Sequence, residues 1–96
     1  RIRGVWHGVV TVTVAVDDGG LADEPQITTL GISEMPEDDP VIDAAREAAI
    51  NAVKSMPPRK LADDAEVLEA VRLAVRRTFR ANLDMKPVTT VHLVRI

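Results

Sequence analysis

Val9-Val10-Thr11-Val12-Thr13-Val14-Ala15-Val16 is the stretch on which the fold turns. In an extended chain, successive side chains point to opposite faces. Val10, Val12, Val14 and Val16 therefore share one face, and Val9, Thr11, Thr13 and Ala15 share the other. This period of two, in a strongly β-branched run, predicts a strand. The second face is also fairly apolar, which predicts a central place in its sheet. Gly8, just upstream, suits a bulge or a close backbone approach.

Downstream, Asp17-Asp18-Gly19-Gly20 combines residues that bond their own backbone with residues that tolerate positive φ. It predicts a hairpin, with residues 21–25 making the connection longer than a tight turn. A second strand is expected over residues 26–32, where Ile27, Thr29 and Gly31 oppose Thr28, Leu30 and Ile32. Asp39-Pro40 reads as a helix cap followed by proline at the first helical position. The helix it opens is expected to reach about Lys54. Val41, Ala45, Ala48, Ala49, Ala52 and Val53 form its apolar stripe, with Ile42 and Ile50 beside it. Met56-Pro57-Pro58 ends it, since proline neither donates to a helix nor lets the preceding residue stay helical.

A second helix is expected from near Asp63, with Asp63 and Glu66 as a capping box. Leu68, Val71, Val75, Thr78 and Phe79 lie on one face, and Glu69, Arg72, Arg76 and Arg80 on the opposite one. The helix fades near Asn82. Pro87 then opens a last strand in which Thr90, His92, Val94 and Ile96 alternate with Thr89, Val91, Leu93 and Arg95.

The expected architecture is α+β, in the order ββααβ: a three-stranded mixed sheet with two helices packed on one face. A right-handed crossover puts the last strand beside the first and parallel to it, in strand order 2-1-3. The other face of such a sheet stays bare. It would carry apolar and Thr side chains, and uncovered surface of that kind marks an interface. Val9, Thr11, Thr13 and Ala15 are its candidate residues.

The chain has 96 residues, enough for one domain. A domain of this size buries roughly 60–65% of the surface its unfolded chain exposes, so the core must be compact. Hydrophobic residues are 46% and charged residues 28%, the balance of a folded domain. The aromatics are Trp6 and Phe79 alone. The core is therefore aliphatic, and stacking platforms for unpaired bases are scarce. Without cysteine there is no disulfide and no thiolate metal site, which fits a reducing compartment. The formal net charge of −3 gives no global attraction to nucleic acid or to an anionic membrane. No apolar run is long enough to span a bilayer. A chain that begins Arg1-Ile2-Arg3 reads as part of something longer.

Reactive constellations are missing. His7 and His92 sit on the first and last strands, but no further ligands share a metal-binding spacing with them. Glu34, Glu37, Asp38 and Asp39 precede a helix N-terminus, where the dipole favours acids, and no nucleophile accompanies them. The 17–20 turn carries acids where a phosphate loop needs a Lys and a hydroxyl. No catalytic, cofactor-binding or metal-binding residue is assigned. The best functional candidates are Arg72, Arg76, Arg77 and Arg80. Guanidinium groups grip phosphates bidentately, so this row suits an RNA backbone. A solvated helix face paired with Glu69 explains the same residues more simply. Arg59 and Lys60, in the link between the helices, would extend such a patch. The link lacks the GXXG loop of a KH domain, and the strands lack the aromatics of an RRM.

The order and spacing of these segments resemble a known family. Gly8-Val9-Val10-Thr11-Val12-Thr13-Val14, Asp17-Asp18-Gly19 and the Pro25-Gln26-Ile27 strand ending near Leu30-Gly31 resemble the start of the ribonuclease J C-terminal domain. Arg76-Arg77 and Phe79, then Lys86-Pro87-Val88 and Val91-His92-Leu93-Val94, are similar to its closing segment. The resemblance covers residues 4–96. It implies a single C-terminal accessory domain, residues 1–96, of a larger cytoplasmic bacterial nuclease. Such enzymes degrade and process RNA as 5′-to-3′ exonucleases and endonucleases. Their zinc lies in a metallo-β-lactamase core whose motifs do not occur in this chain, so no cofactor is expected here. The resemblance further implies a non-catalytic role: self-association with the same domain or the parent enzyme, support of its full activity, RNA met through the parent, and no membrane. Two alternatives stand beside it. One is an RNA-backbone-contacting module through the basic helix face. The other is a free-standing regulatory module for a small ligand, which needs a pocket with convergent polar groups.

Overall fold

The valine ladder is the middle of the sheet. The computed structural model describes residues 8–30, 40–83 and 87–96. In it, strand β1 spans Val9–Asp17. Val10, Val12, Val14 and Val16 are wholly buried, while Val9, Thr11, Thr13 and Ala15 are half-buried. Strands β2 (Gly20–Leu21) and β3 (Gln26–Leu30) run antiparallel to β1. The residues of β1 from Val9 to Thr13 each pair with β3 on one side and with the last strand, β4 (Val88–Arg95), on the other. Val16 likewise pairs with both Leu21 and Arg95. β2 and β3 therefore share one edge of β1, and β4 runs parallel along the other. Among the described residues, β1 alone has both edges paired. The parallel ladder begins at Gly8 (φ 87°), whose carbonyl accepts from the Val88 N–H at 3.0 Å.

Helices α1 (Pro40–Lys54), α2 (Pro58–Leu61) and α3 (Asp64–Leu83) lie between β3 and β4 in the chain. α1 buries Val41, Ile42, Ala45, Ala49 and Val53. α3 buries Val67, Val71, Val75 and Phe79, at a spacing of four that keeps them on one face. These side chains form one core with the four inward valines of β1, and Ile27, Val91 and Leu93 pack against it. The small alanines of α1 let the helices lie close, and Phe79 supplies the bulk that an aliphatic core otherwise lacks.

Several sequence expectations need correction. Among the described residues the sheet has four strands rather than three: the expected second strand is there as β3, and the expected connection before it carries a further short strand, β2. Asp17 pairs with Gly20, so the turn is a tight two-residue loop rather than a long connection. Asp17 Oδ1 accepts from the Gly19 N–H at 2.8 Å, and Gly20 takes φ 128°. After Leu21 the chain leaves the ladder at buried Pro25, which has no N–H to offer, and β3 resumes at Gln26. Arg46 ties this break to α1: its Nε donates to the Pro25 carbonyl at 3.3 Å and an Nη to Asp43 at 2.7 Å.

Among the described residues the helices number three rather than two. Pro58 stands at the start of α2, where its missing N–H is harmless, and the link from 57 to 62 winds into one helical turn. Asp63 does cap α3, its Oδ1 accepting from the Ala65 N–H at 3.0 Å and the Glu66 N–H at 3.4 Å. The reciprocal half of the box does not form, since the Asp63 N–H already donates to the Lys60 carbonyl of α2 at 3.0 Å. Val67, not Leu68, begins the buried stripe of α3; Leu68 is half-buried. Trp6, His7, the 34–39 acids and residues 31–32 lie outside the described residues.

Two stability predictions follow from this packing. Gly20 sits where L side chains rarely go, although a Cβ there would meet nothing within 4 Å. Gly20→Ala should therefore lose about 1–3 kcal/mol from backbone strain alone. Gly19→Ala should be nearly neutral in the same urea titration, because its Cβ would meet Asp17 Oδ1 at an ordinary 3.6 Å. Equal losses would refute the turn geometry. Phe79→Ala should cost about 3–5 kcal/mol by urea denaturation, as expected for removing an aromatic from a filled core.

Candidate interaction surfaces

Among the described residues the helices cover one side of the sheet, and the side chains at alternate positions of every strand have no described helix above them. Ladder register aligns them into rows. Val9 lies between Leu30 and Val88, Thr11 between Thr28 and Thr90, and Thr13 between Gln26 and His92. Ala15 has Val94 beside it. All four interface candidates, Val9, Thr11, Thr13 and Ala15, thus form the spine of the open face. Leu30 is 73% exposed, Val88 55% and Val94 46%, high values for large apolar side chains. None of these rows contains Asp, Glu, Lys or Arg; the first charge is Asp17, at the turn. His92 belongs to the Thr13 row and is exposed.

The helical layer carries the arginines of α3. Val67, Val71, Val75 and Phe79 point to the core, which turns Arg76, Arg77 and Arg80 outward. Arg72 is engaged: its Nε donates to Glu69 Oε1 at 3.1 Å and an Nη to Glu69 Oε2 at 2.7 Å. This hydrogen-bonded pair holds the Glu69 carboxyl below its ordinary pKa and lifts that of Arg72. Arg76, Arg77 and Arg80 form no ion pair or side-chain hydrogen bond among the described residues. Arg72 and Arg76 border a shallow hollow with Pro87, Val88 and Thr89, at the start of β4. Arg76, Arg77 and Arg80 border another around Leu73. The expected extension through Arg59 and Lys60 does not occur. They sit on α2 at the far end of α3, with Glu66 and Glu69 between them and the row.

Arg95 is a residue whose role the alternation pattern alone does not reveal. It ends β4 on the helix side, its Nε donating to Asp64 Oδ1 at 2.5 Å and an Nη to the Leu61 carbonyl at 2.8 Å. It thereby fastens the last strand to the α2–α3 junction. An arginine at an inward strand position is the signal that marks it.

A hollow of about 470 Å³ runs between α1 and α3, with Ala48, Ala52, Ala70, Leu73 and Ala74 on its walls and Asn51, Ser55 and Arg77 as its polar groups. Its Ser55 hydroxyl is spent on the Asn51 carbonyl at 2.8 Å. Among the described residues, no three His, Cys, Asp or Glu side chains are grouped so as to hold a metal ion. No described helix is long and apolar enough to cross a membrane.

The model of the ribonuclease J C-terminal domain family matches residues 3–96. A curated ribonuclease J from Sinorhizobium meliloti is 33% identical over 93 residues, which is 95% of this chain and 16% of the relative. The chain is thus similar to one limited part of a much longer protein.

Proposed function

Because this chain belongs to the ribonuclease J C-terminal domain family, we propose that it is a non-catalytic assembly domain that joins copies of a ribonuclease J-type enzyme through its open sheet face. In this reading, RNA hydrolysis and the zinc that supports it belong to the rest of the parent. The domain contributes by holding the parent in its active assembly. The setting is cytoplasmic, and the lack of cysteine is compatible with a reducing compartment.

The absence of charge on the open face carries the proposal. Charged residues make up 28% of the chain, yet the rows from Val9 to Ala15 hold none. Burying such a face sacrifices no ionic hydration, which is the main penalty for closing a polar surface. Each square ångström of apolar surface removed from water returns about 25 cal/mol. Threonine hydroxyls across the central row can bond their counterparts as water leaves. Two such sheets would pack face to face about 10 Å apart. A two-fold axis would then set the Thr11 and Thr13 rows of one copy against those of the other.

Sedimentation equilibrium tests the reading. The chain should run as a dimer or larger species, and Thr11→Glu with Thr13→Glu should reduce it to a monomer with unchanged circular dichroism. Burying unpaired charges costs several kcal/mol, more than a hundredfold in affinity. If the double variant assembles like the unaltered chain, the sheet face is not the interface.

A further inference from the structure

We propose that the C-terminal half of α3 is a binding site for the phosphodiester backbone of single-stranded nucleic acid, and that it does not read bases. The assembly reading is not needed for this inference, since none of the arginines belongs to the open-face rows.

From Ala70 to Leu83 every charged residue is an arginine: Arg72, Arg76, Arg77 and Arg80. In a chain with an acidic excess, this local reversal makes a positive field where the global charge offers none. Arg46, Arg72 and Arg95 are each held by a carboxylate, whereas Arg76, Arg77 and Arg80 have no such partner among the described residues. Arg72, Arg76 and Arg80 stand one turn apart, about 6 Å along the axis, so they form a track rather than a single point. Guanidinium is planar and always charged, and it meets phosphate oxygens two at a time. Cations also interact favourably with the helix C-terminus, which explains Arg80. That effect fades within the last turn and leaves Arg72 and Arg76 unexplained.

The same surface shows why bases go unread. Base recognition in single strands relies on aromatic stacking. Phe79 is wholly buried on the core side of α3. The row is flanked instead by Leu73, Pro87, Val88 and Thr89. No described aromatic stands beside the row, so phosphate contact should dominate, and RNA and DNA should bind alike.

Fluorescence anisotropy with labelled oligouridine and oligothymidine tests this. For single strands, log K falls with log salt at about 0.7 per phosphate neutralised, so the three free arginines predict a slope of about −2. Affinity should then fall roughly twentyfold between about 50 and 200 mM salt. Arg76→Ala with Arg80→Ala should flatten the slope to about −0.7, and Glu69→Gln, which frees Arg72, should steepen it to about −3. All these residues are exposed or half-exposed, so the fold should persist by circular dichroism. No binding at low salt would overturn the proposal. So would a slope untouched by the arginine variants, or poly-glutamate bound as tightly as the oligonucleotides, which would indicate an acidic protein partner. Binding retained in Thr11→Glu/Thr13→Glu is expected, and it separates this site from the assembly face.

Discussion

The strict alternation along β1 is the constraint on which everything else rests. Four valines at every second position are wholly buried, and both edges of the strand are paired. A shift of register by one residue would bring Thr11, Thr13 and Ala15 under the helices and put the valines on the open side. Full burial of a valine is worth about 1.5–3 kcal/mol, so such a slip would erase much of the margin of a small domain. The helices take their places from this face. α1 offers it alanines and valines, α3 offers a stripe ending in Phe79, and Arg95 fastens the far end of β4 to the start of α3. One face of the sheet is thereby used up, and no described helix covers the other.

Much of this is legible in the sequence where the signal is local. The valine ladder, proline at the first position of α1, the Asp63 cap and the strand after Pro87 each depend on a few neighbouring residues. The open face is legible for the same reason, because period two assigns Val9, Thr11, Thr13 and Ala15 to one side whatever the topology. The misread features depend on context. Asp17 and Gly20 close a tight turn because β1 and β2 pair across it, which puts a short strand inside the expected connection. Consecutive prolines read as a simple stop, yet Pro58 also starts the short α2. That turn in turn takes the Asp63 N–H that a full capping box would have used. Leu68 outranks Val67 on hydrophobicity, but the four-residue spacing to Phe79 selects Val67.

The arginine row shows the same division. Its placement on one helix face follows from spacing alone. Which guanidinium is engaged does not, since Arg72 bonds Glu69 one turn back while Arg76, Arg77 and Arg80 stay free among the described residues. The result is a domain with two unlike sides, an uncharged sheet and a cationic helix. Arg77 and Arg80 lie away from the open face, whereas Val88 borders both that face and the hollow beside Arg72 and Arg76, so the two sides meet at the start of β4.

The account stands or falls on the open sheet face being where copies meet. Methyl NMR of the chain across a dilution series tests this residue by residue. The Thr11, Thr13, Thr28, Thr90 and Val94 methyls should shift with concentration, while those of Ala48, Ala52 and Ala74 in the α1–α3 groove stay fixed. Shifts confined to the groove, or spectra that do not change with concentration, would contradict the account.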